Sequence, residues 1–148
     1  MATYSFLNCV ASLVGSGGNI NLGFGAAVSE EGITVEPTED QNNMMIGADG
    51  SVMHNLHAGK SGKVRVRMLK TSPTNQLLAA MFELQRSSSA LWGNNVITLR
   101  DSARGDVITC QQVAFSRAPT SNYGKDGAMQ EWAFDAGIIN TLYGSGTA

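Results

Sequence analysis

The sequence is poor in charged residues, which make up 15% of its 148 residues, against about 25% in typical globular domains. Hydrophobic residues, at 43%, are ordinary in number. A surface with few charges is expected where protein partners cover it. The formal net charge of -2 also gives no overall attraction to nucleic acid or to an anionic membrane.

Cysteine and long apolar runs are also scarce. The two cysteines, Cys9 and Cys110, exclude a disulfide framework, and we expect both to be reduced and buried. The apolar stretches are too short to cross a bilayer, and the N-terminus lacks the basic region of a secretion signal. We therefore expect a single domain over residues 1–148 that is made in a cytoplasm and has no membrane partner.

Histidine occurs only at His54 and His57, close to Asp49. A zinc site needs three or four ligands in a rigid frame, so the sequence predicts no metal site. A serine nucleophile would need a histidine partner and a Gly-x-Ser-x-Gly elbow, which the two Gly-Ser-Gly runs do not supply. We predict no catalytic site and no cofactor.

Two glycine-containing motifs resemble nucleotide-binding loops without matching them. The GKS run at residues 59–61 has His54 where a phosphate loop needs an earlier glycine, and a strand follows it rather than a helix. The run that starts at Gly15 has Ile20 where a dinucleotide fingerprint needs its third glycine. The first motif is better interpreted as a tight turn. Residues 15–25 are better interpreted as a mobile or tightly turned connector.

The remaining pattern predicts many short strands and one helix. Alternating or apolar segments bounded by turn residues predict strands at residues 4–13, 33–36, 44–46, 52–56, 63–69, 96–100, 107–115 and 129–139. Asp49-Gly50 predicts a hairpin turn between the third and fourth of these strands. In the strand at 63–69, Val64, Val66 and Met68 are expected to face the core. Many strands and one helix favour a mainly-β sandwich or barrel with one packed helix.

The helix is predicted over about residues 73–86. Ser72 is a suitable N-cap, Pro73 suits the first turn, and the serines at 87–89 end the segment. Four apolar residues at helical spacing form a predicted core-facing stripe: Leu77, Leu78, Met81 and Leu84.

Charged residues are segregated within residues 30–70: six carboxylates lie at residues 30–49 with no base between them, and five cations lie at residues 60–70 with no acid between them. In a monomer these would be two solvated faces, whereas in an assembly they would form complementary patches between subunits. The basic strand contains no aromatic residue, which argues against an RNA-binding sheet. The subunit-interface candidates are Lys63, Arg65, Arg67, Glu36, Glu39, Asp40, Asp49 and His54.

Several segments together resemble the tail tube proteins of contractile-tailed bacteriophages: YSFLNCVASLVG, IGADGSVMH, KSGKVRVRMLKTSP and WGNNVITLRDSARGD. The similarity extends from residue 4 to about residue 115. It implies a β-sandwich-like barrel with a helix at its side. It also implies hexameric rings that stack into a tube with a continuous β-lined channel. A sheath would surround the tube, baseplate and tail-terminator proteins would contact it, and DNA would pass through transiently.

Within this resemblance, an acidic or neutral channel would let DNA slide, because Lys and Arg contacts to phosphate dominate affinity. Glu131 and Asp135 are the candidates for the lumen. The basic strand is expected to meet acidic residues of an adjacent subunit, and residues 36–43 and 47–62 to form contacts between rings. The protein is expected in the virion tail, and in the host cytoplasm during assembly.

Three alternatives remain open at this stage. The tube of a non-phage contractile injection system, or a secreted ring protein of the same fold, would assemble through the same interactions and differ in cargo and genomic setting. A small ligand-binding β-barrel or an enzyme would need a concave pocket with converging polar groups. A capsid-decorating protein would form closed oligomers rather than tubes.

Overall fold

The computed structural model describes residues 4–22, 28–121, 123–127 and 129–144; for residues 6 and 28–31 it describes the backbone alone. The regular elements are, in chain order, β1 (Cys9–Gly15), β2 (Gly18–Asn21), β3 (Val28–Pro37), β4 (Asn42–Ile46), β5 (Val52–Leu56), β6 (Gly62–Leu69), α1 (Thr74–Arg86), β7 (Asn95–Asp101), β8 (Asp106–Arg117) and β9 (Met129–Leu142). Short 3-10 turns lie at Phe6–Asn8 and Ser89–Leu91. No helix within these residues is long and apolar enough to span a membrane.

Seven strands form one antiparallel sheet in the order β2-β1-β7-β8-β9-β6-β3, and β4 and β5 form a separate two-stranded hairpin. The predicted mainly-β fold with one packed helix is therefore confirmed. The Asp-Gly hairpin between β4 and β5 also lies where the sequence predicts it, and the strands predicted at residues 96–100 and 107–115 pair with each other as β7 and β8. β3 begins five residues earlier than predicted, at Val28 instead of residue 33.

The neighbouring strands β6 and β9 supply much of the core. Val64, Val66 and Met68 are fully buried, as the alternation in β6 predicts. Their cross-strand partners include Phe134, opposite Val64, and Trp132, opposite Val66. Each buried side chain of this size stabilises the fold by roughly 1.5–3 kcal/mol relative to an exposed one.

An aromatic cluster joins α1 to the sheet. The ring of Phe115 lies 5.2 Å from that of Phe82 on α1, 4.9 Å from Phe134 and 6.1 Å from Trp132. The pairs with Phe82 and Trp132 are edge-to-face, and the pair with Phe134 is tilted; aromatic pairs contribute about 0.5–1.5 kcal/mol each beyond the area they bury. The indole N–H of Trp132 also donates to Asn75 Oδ1 at 2.9 Å, which fixes the first turn of the helix against β9.

The start of α1 differs by one residue from the sequence prediction. Pro73, not Ser72, occupies the N-cap position and makes no side-chain cap bond. Ser72 Oγ still accepts a hydrogen bond from the Thr74 amide at 3.3 Å, so it satisfies a backbone donor of the first turn. Because proline lacks an amide hydrogen, its place at the helix start leaves no donor unsatisfied. The helix ends at the predicted serines, with Ser87 as C-cap.

The predicted apolar stripe of α1 is only half correct. Leu78 and Met81 are buried, but Leu77 and Leu84 are 54% and 46% exposed. Gln85 is fully buried in their place. A polar residue can occupy this core position because its amide has hydrogen-bond partners from both Asn95 and the Ser16 carbonyl. Helical periodicity alone could not indicate these partners.

One prediction near the N-terminus is wrong in detail, and another is confirmed in part. Residues 6–8 form a 3-10 turn, so the first strand begins at Cys9 rather than residue 4. The described part of the predicted connector is a β-hairpin: Gly15 pairs with Gly18, and β2 continues to Asn21. Gly17 and Gly18 have φ of 113° and 126°, which only glycine adopts readily, so they close a tight turn. Residues 23–25 of that prediction lie outside the described residues.

β8 lies between β7 and β9 in the sheet, and it contains a β-bulge in its pairing with β7. Ile97 pairs with Cys110 and Asn95 with Val113, so β8 holds one more residue than β7 over this stretch. Gln112, with a φ of 54°, takes up the extra residue in a left-handed conformation that is uncommon outside glycine. Cys110 and Val113 consequently both face the core.

Candidate assembly surfaces

The side of β3, β6, β9 and the end of β8 that faces away from the core is rich in charge. We call this surface the charged face and define it by Glu36, Lys63, Arg65, Arg67, Arg117, Glu131 and Asp135. Strand register places Lys63 opposite Asp135 and Arg67 opposite Glu131. The basic interface candidates and the acidic lumen candidates from the sequence therefore lie together on one surface.

The charges on this face pair across the strands. Arg67 Nε lies 2.7 Å from Glu131 Oε2, and Arg65 Nε lies 3.8 Å from Glu131 Oε1. Arg65 also reaches a second carboxylate, since its Nη1 atom lies 3.3 Å from Glu36 Oε2. Lys63 Nζ lies 3.9 Å from Asp135 Oδ1. All these side chains are 38–59% exposed, so each pair contributes only about 0–1 kcal/mol to stability. Their main effect is on the electrostatic potential of the charged face.

A concavity of about 660 Å³ opens on the charged face. Its lining includes Arg65, Arg67 and Glu131, and the segment 116–120 borders it. Arg117, at the start of that segment, makes no ion pair with any residue that the structure describes. Among the described residues that line the concavity, cations therefore outnumber carboxylates.

The β4–β5 hairpin is apolar on both sides. On one side Met44 lies opposite His54 and Ile46 opposite Val52, and on the other Met45 lies opposite Met53. The apolar side chains are all at least half exposed, from 50% for Met44 to 90% for Leu56. A two-stranded hairpin is marginal in water by itself, and apolar residues on both sides indicate that other surfaces cover it.

The base of this hairpin is fixed to the rest of the fold. The Thr38 amide donates to the Ser61 carbonyl at 3.1 Å, and the His57 amide donates to the Gln41 carbonyl at 2.9 Å. The Ile139 amide of β9 donates to the Lys60 carbonyl at 2.9 Å. The GKS run thus forms part of this base and leads into a strand. It does not form the predicted tight turn, because Lys60 pairs with Ile138 of β9 in a short parallel bridge.

The hairpin tip is held by the predicted turn. Gly47 donates to the Ser51 carbonyl at 2.7 Å, and Gly50 has a φ of 87° that suits glycine. The Ser51 amide donates to Asp49 Oδ1 at 3.0 Å. Hydrogen bonds from the Ser51 amide and hydroxyl lower the pKa of the exposed Asp49 carboxyl.

The remaining interface candidates lie along the same projection. Glu39 and Asp40 are exposed in the segment between β3 and β4. His54 Nδ1 lies 3.3 Å from Asn42 Nδ2, across the hairpin. These positions are compatible with subunit contacts, and their interface roles remain predictions.

Sequence reasoning missed an apolar groove beside α1. The groove has a volume of about 200 Å³, and its lining includes Leu77, Leu84 and Ile20. Both leucines were predicted to face the core, because their spacing matches that of an apolar helical stripe. The groove is apparent only from the orientation of α1 about its own axis, which buries Gln85 and leaves Leu77 and Leu84 exposed.

The seven-stranded sheet also ends in two open edges. β2 pairs only with β1, and β3 only with β6, within the part of the chain that the structure describes. Open edges present unpaired backbone donors and acceptors, to which a strand of another molecule can bind.

The described residues contain no group of three or more His, Cys, Asp or Glu side chains able to hold a metal ion. Cys9 and Cys110 are buried free thiols, as predicted. Burial raises the pKa of the Cys110 thiol to about 11, so at neutral pH it is protonated and a poor nucleophile.

Comparisons with solved structures find the same fold in components of contractile injection systems and of the anti-feeding prophage. The chain is similar to a component of the sheath-tube complex of the extracellular contractile injection system PVC, with 13% identity and a TM-score of 0.55, covering 95% of this chain and 92% of that one. It is also similar to the tube-terminating cap of the anti-feeding prophage, with 9% identity and a TM-score of 0.56, covering 97% and 93%. A chain of the anti-feeding prophage baseplate matches with 11% identity and a TM-score of 0.56, covering 96% of each chain.

A search of curated protein sequences gives no match. The family model described as bacteriophage PhiTE tail tube protein, however, matches residues 1–144. That match includes all nine strands, the helix, the charged face and the β4–β5 hairpin. The chain belongs to this family of phage tail tube proteins.

Proposed function

We propose that this protein polymerises as stacked hexameric rings into the inner tail tube of a contractile phage, and that DNA passes through the channel. Family membership supports the tube, and the similar structures come from tube-containing machines. The observation with most weight is the β4–β5 hairpin, whose apolar residues are exposed on both sides. Heterologous contacts that do not close along one axis generate a filament of such subunits.

The charged face is the surface that we propose for the channel. Four neighbouring strands contribute to it, and its acidic and basic residues largely neutralise each other. A surface of paired charges has little net attraction for phosphate. Lys63, Arg65 and Arg67 then lie in the channel together with Glu131 and Asp135, instead of contacting an adjacent subunit.

The contacts between subunits are proposed for the projection and the edges. Segments 36–43 and 47–62, which contain Glu39, Asp40, Asp49 and His54, would contact neighbouring rings. The open edges of β2 and β3 would join strands of adjacent subunits within a ring, which removes exposed backbone groups from water.

Partners outside the tube follow from the same assignment. We propose that a sheath protein surrounds the tube and that baseplate and terminator proteins contact its ends, in the virion and during assembly in the host cytoplasm. The similar structures include a sheath-tube complex, a terminator and a baseplate. Because two of these structures belong to an extracellular contractile injection system, the tube of such a non-phage system is the second candidate function.

Negative-stain electron microscopy of the concentrated protein tests the proposal. We expect hollow tubes or stacked rings from the wild type, and dispersed protein from M45S/M53S, because the hairpin would lose its apolar side. The matched control is M129S, which changes a methionine of similar exposure on β9, 51% against 55% for each hairpin residue. Tubes from M45S/M53S would contradict the role of the hairpin, and closed oligomers from the wild type would contradict the tube.

A further inference from the structure

The β4–β5 hairpin carries three of the seven methionines of the chain, and each of the three is at least half exposed. Met44 and Met45 lie on β4, and Met53 lies on β5 directly opposite Met45. Met68 and Met81, by contrast, are buried in the core. In the free subunit the hairpin methionines are therefore open to small molecules in solution, whereas the core methionines are not.

A methionine that solvent can reach is oxidised by peroxides. A sulfur lone pair attacks one oxygen of hydrogen peroxide, so an S–O bond forms as the O–O bond breaks. The proton of the transferred oxygen passes to the departing hydroxide, which leaves as water. The sulfur loses two electrons and the peroxide gains them. The product, methionine sulfoxide, is polar, so an apolar contact group becomes a hydrogen-bond acceptor.

The two sides of the hairpin both carry such a sulfur. Met45 and Met53 share one side, and Met44 lies on the other side, opposite His54. Because the hairpin is apolar on both sides, any surface that covers it would have to bury these side chains. Burying a sulfoxide oxygen without a hydrogen-bond donor is unfavourable, so oxidation would weaken that contact.

We propose that Met44, Met45 and Met53 form a peroxide-modification site of the free subunit, and that their sulfoxides keep neighbouring subunits from covering the hairpin. The effect on assembly rests on the proposed function, and the site itself rests on the exposure of these side chains alone. Because sulfoxide reductases return methionine sulfoxide to methionine, the modification is reversible.

The other oxidisable sulfurs among the described residues are either buried or remote from the hairpin. Cys9 and Cys110 are buried thiols. Met129 on β9 is as exposed as the hairpin methionines, but it pairs with Leu69, at the opposite end of β6 from the hairpin. Its oxidation should therefore leave assembly unchanged, which makes it the internal reference.

The test treats the dispersed protein with hydrogen peroxide and follows each methionine by peptide mass spectrometry. We expect sulfoxide at the three hairpin positions while Met68 and Met81 stay unmodified, with an unchanged circular dichroism spectrum. After the peroxide is removed, the oxidised protein should need a concentration at least about tenfold higher to form tubes in electron micrographs. Burial of one unpaired polar group weakens an equilibrium by roughly that factor.

The variant M44L/M45L/M53L removes the three sulfurs and keeps apolar side chains of similar volume. It should form tubes equally well before and after peroxide, whereas the matched control M129L should stay as sensitive as wild type. A second measurement needs no variant. Both stereochemical classes of methionine sulfoxide reductase, with dithiothreitol, should restore tubes from oxidised wild type, whereas dithiothreitol alone should not, because it reduces disulfides and sulfenic acids only.

Sulfoxide at Met68 or Met81 as early as in the hairpin would overturn the site. Tubes from oxidised wild type at the original concentration would overturn its effect on assembly, as would full restoration by dithiothreitol alone or equal peroxide sensitivity of the triple leucine variant. Untreated wild type that forms no tubes would instead overturn the proposed function, and the order in which the methionines are oxidised would still decide the site.

Discussion

Gln85 on α1 and Asn95 on β7 exchange two hydrogen bonds between their buried side-chain amides. Gln85 Nε2 donates to Asn95 Oδ1 at 2.7 Å, and Asn95 Nδ2 donates to Gln85 Oε1 at 2.8 Å. Gln85 Nε2 also donates to the Ser16 carbonyl at 3.0 Å, in the turn between β1 and β2. Because both side chains are fully buried, this pair fixes the helix end to two parts of the sheet.

Replacing either amide side chain with alanine should lower the free energy of unfolding by more than the loss of that side chain's own hydrogen bonds. We expect Q85A and N95A each to lower the free energy of unfolding by about 1–3 kcal/mol, because the partner amide stays buried and loses hydrogen bonds. In N95A, Gln85 keeps its bond to the Ser16 carbonyl, but its Oε1 loses the Asn95 donor. In Q85A/N95A the second loss should be smaller, giving a coupling energy of at least about 1 kcal/mol. Urea unfolding of the four proteins measures this cycle, and strictly additive losses would contradict the pairing.

Gly15 should not tolerate a side chain. A Cβ at this position would overlap the Asn95 side chain, which the bonds to Gln85 hold in place. We expect G15A to lower the free energy of unfolding by about 1–3 kcal/mol. G127A is the control, because a Cβ there meets nothing within 4 Å. Equal denaturation midpoints for the two variants would show that the Asn95 side chain can move aside.

Neutralising two arginines distinguishes the channel from a subunit interface. If the charged face lines the channel, R65Q/R67Q should still form tubes, since no neighbouring subunit loses an ion pair. If those arginines bind acidic residues of an adjacent subunit, as the sequence suggests, the variant should stay dispersed. Electron microscopy at matched protein concentrations reports the outcome, and thermal unfolding confirms that the variant is folded.

The hairpin tip should respond to acid through Asp49. Hydrogen bonds from Ser51 lower the pKa of this carboxyl, so the folded tip favours the charged form. The contribution of these bonds is present above the ordinary aspartate pKa and is lost as the pH falls through the lowered value. We expect S51A to raise the pKa of Asp49 toward its ordinary value, because the hydroxyl donor is removed. Carbon-detected NMR titration measures both pKa values, and an unchanged one in S51A would contradict the assignment.

Local pattern predicted much of this fold, because alternation and turn residues act over a few positions. The buried face of β6, the Asp-Gly turn and the helix over residues 74–86 were all visible in the sequence. The burial of Gln85 was not, because it depends on Asn95, ten residues away, and on the backbone of Ser16. The bulge at Gln112 was equally hidden, since it arises from the registers of two neighbouring strands.

The surfaces were harder to predict than the core. The sequence shows acidic and basic residues in separate segments, yet pairing of β6 with β9 brings Arg67 and Glu131 together across 64 positions. The separation of acidic and basic residues along the chain therefore did not indicate whether they are separated on the folded surface. The exposed leucines of α1 show a related difficulty. Their spacing fits a buried stripe, but spacing alone does not determine which side of the helix packs against the sheet.

The bond between the Ile139 amide and the Lys60 carbonyl has a mechanical consequence. It links the base of the projecting hairpin to β9, the strand that also holds Glu131. A force applied to the hairpin by a neighbouring molecule would therefore pass into the central sheet instead of being absorbed by a hinge. Subunits connected in this way would make a stiff rod, able to transmit axial thrust along its length without buckling at the joints.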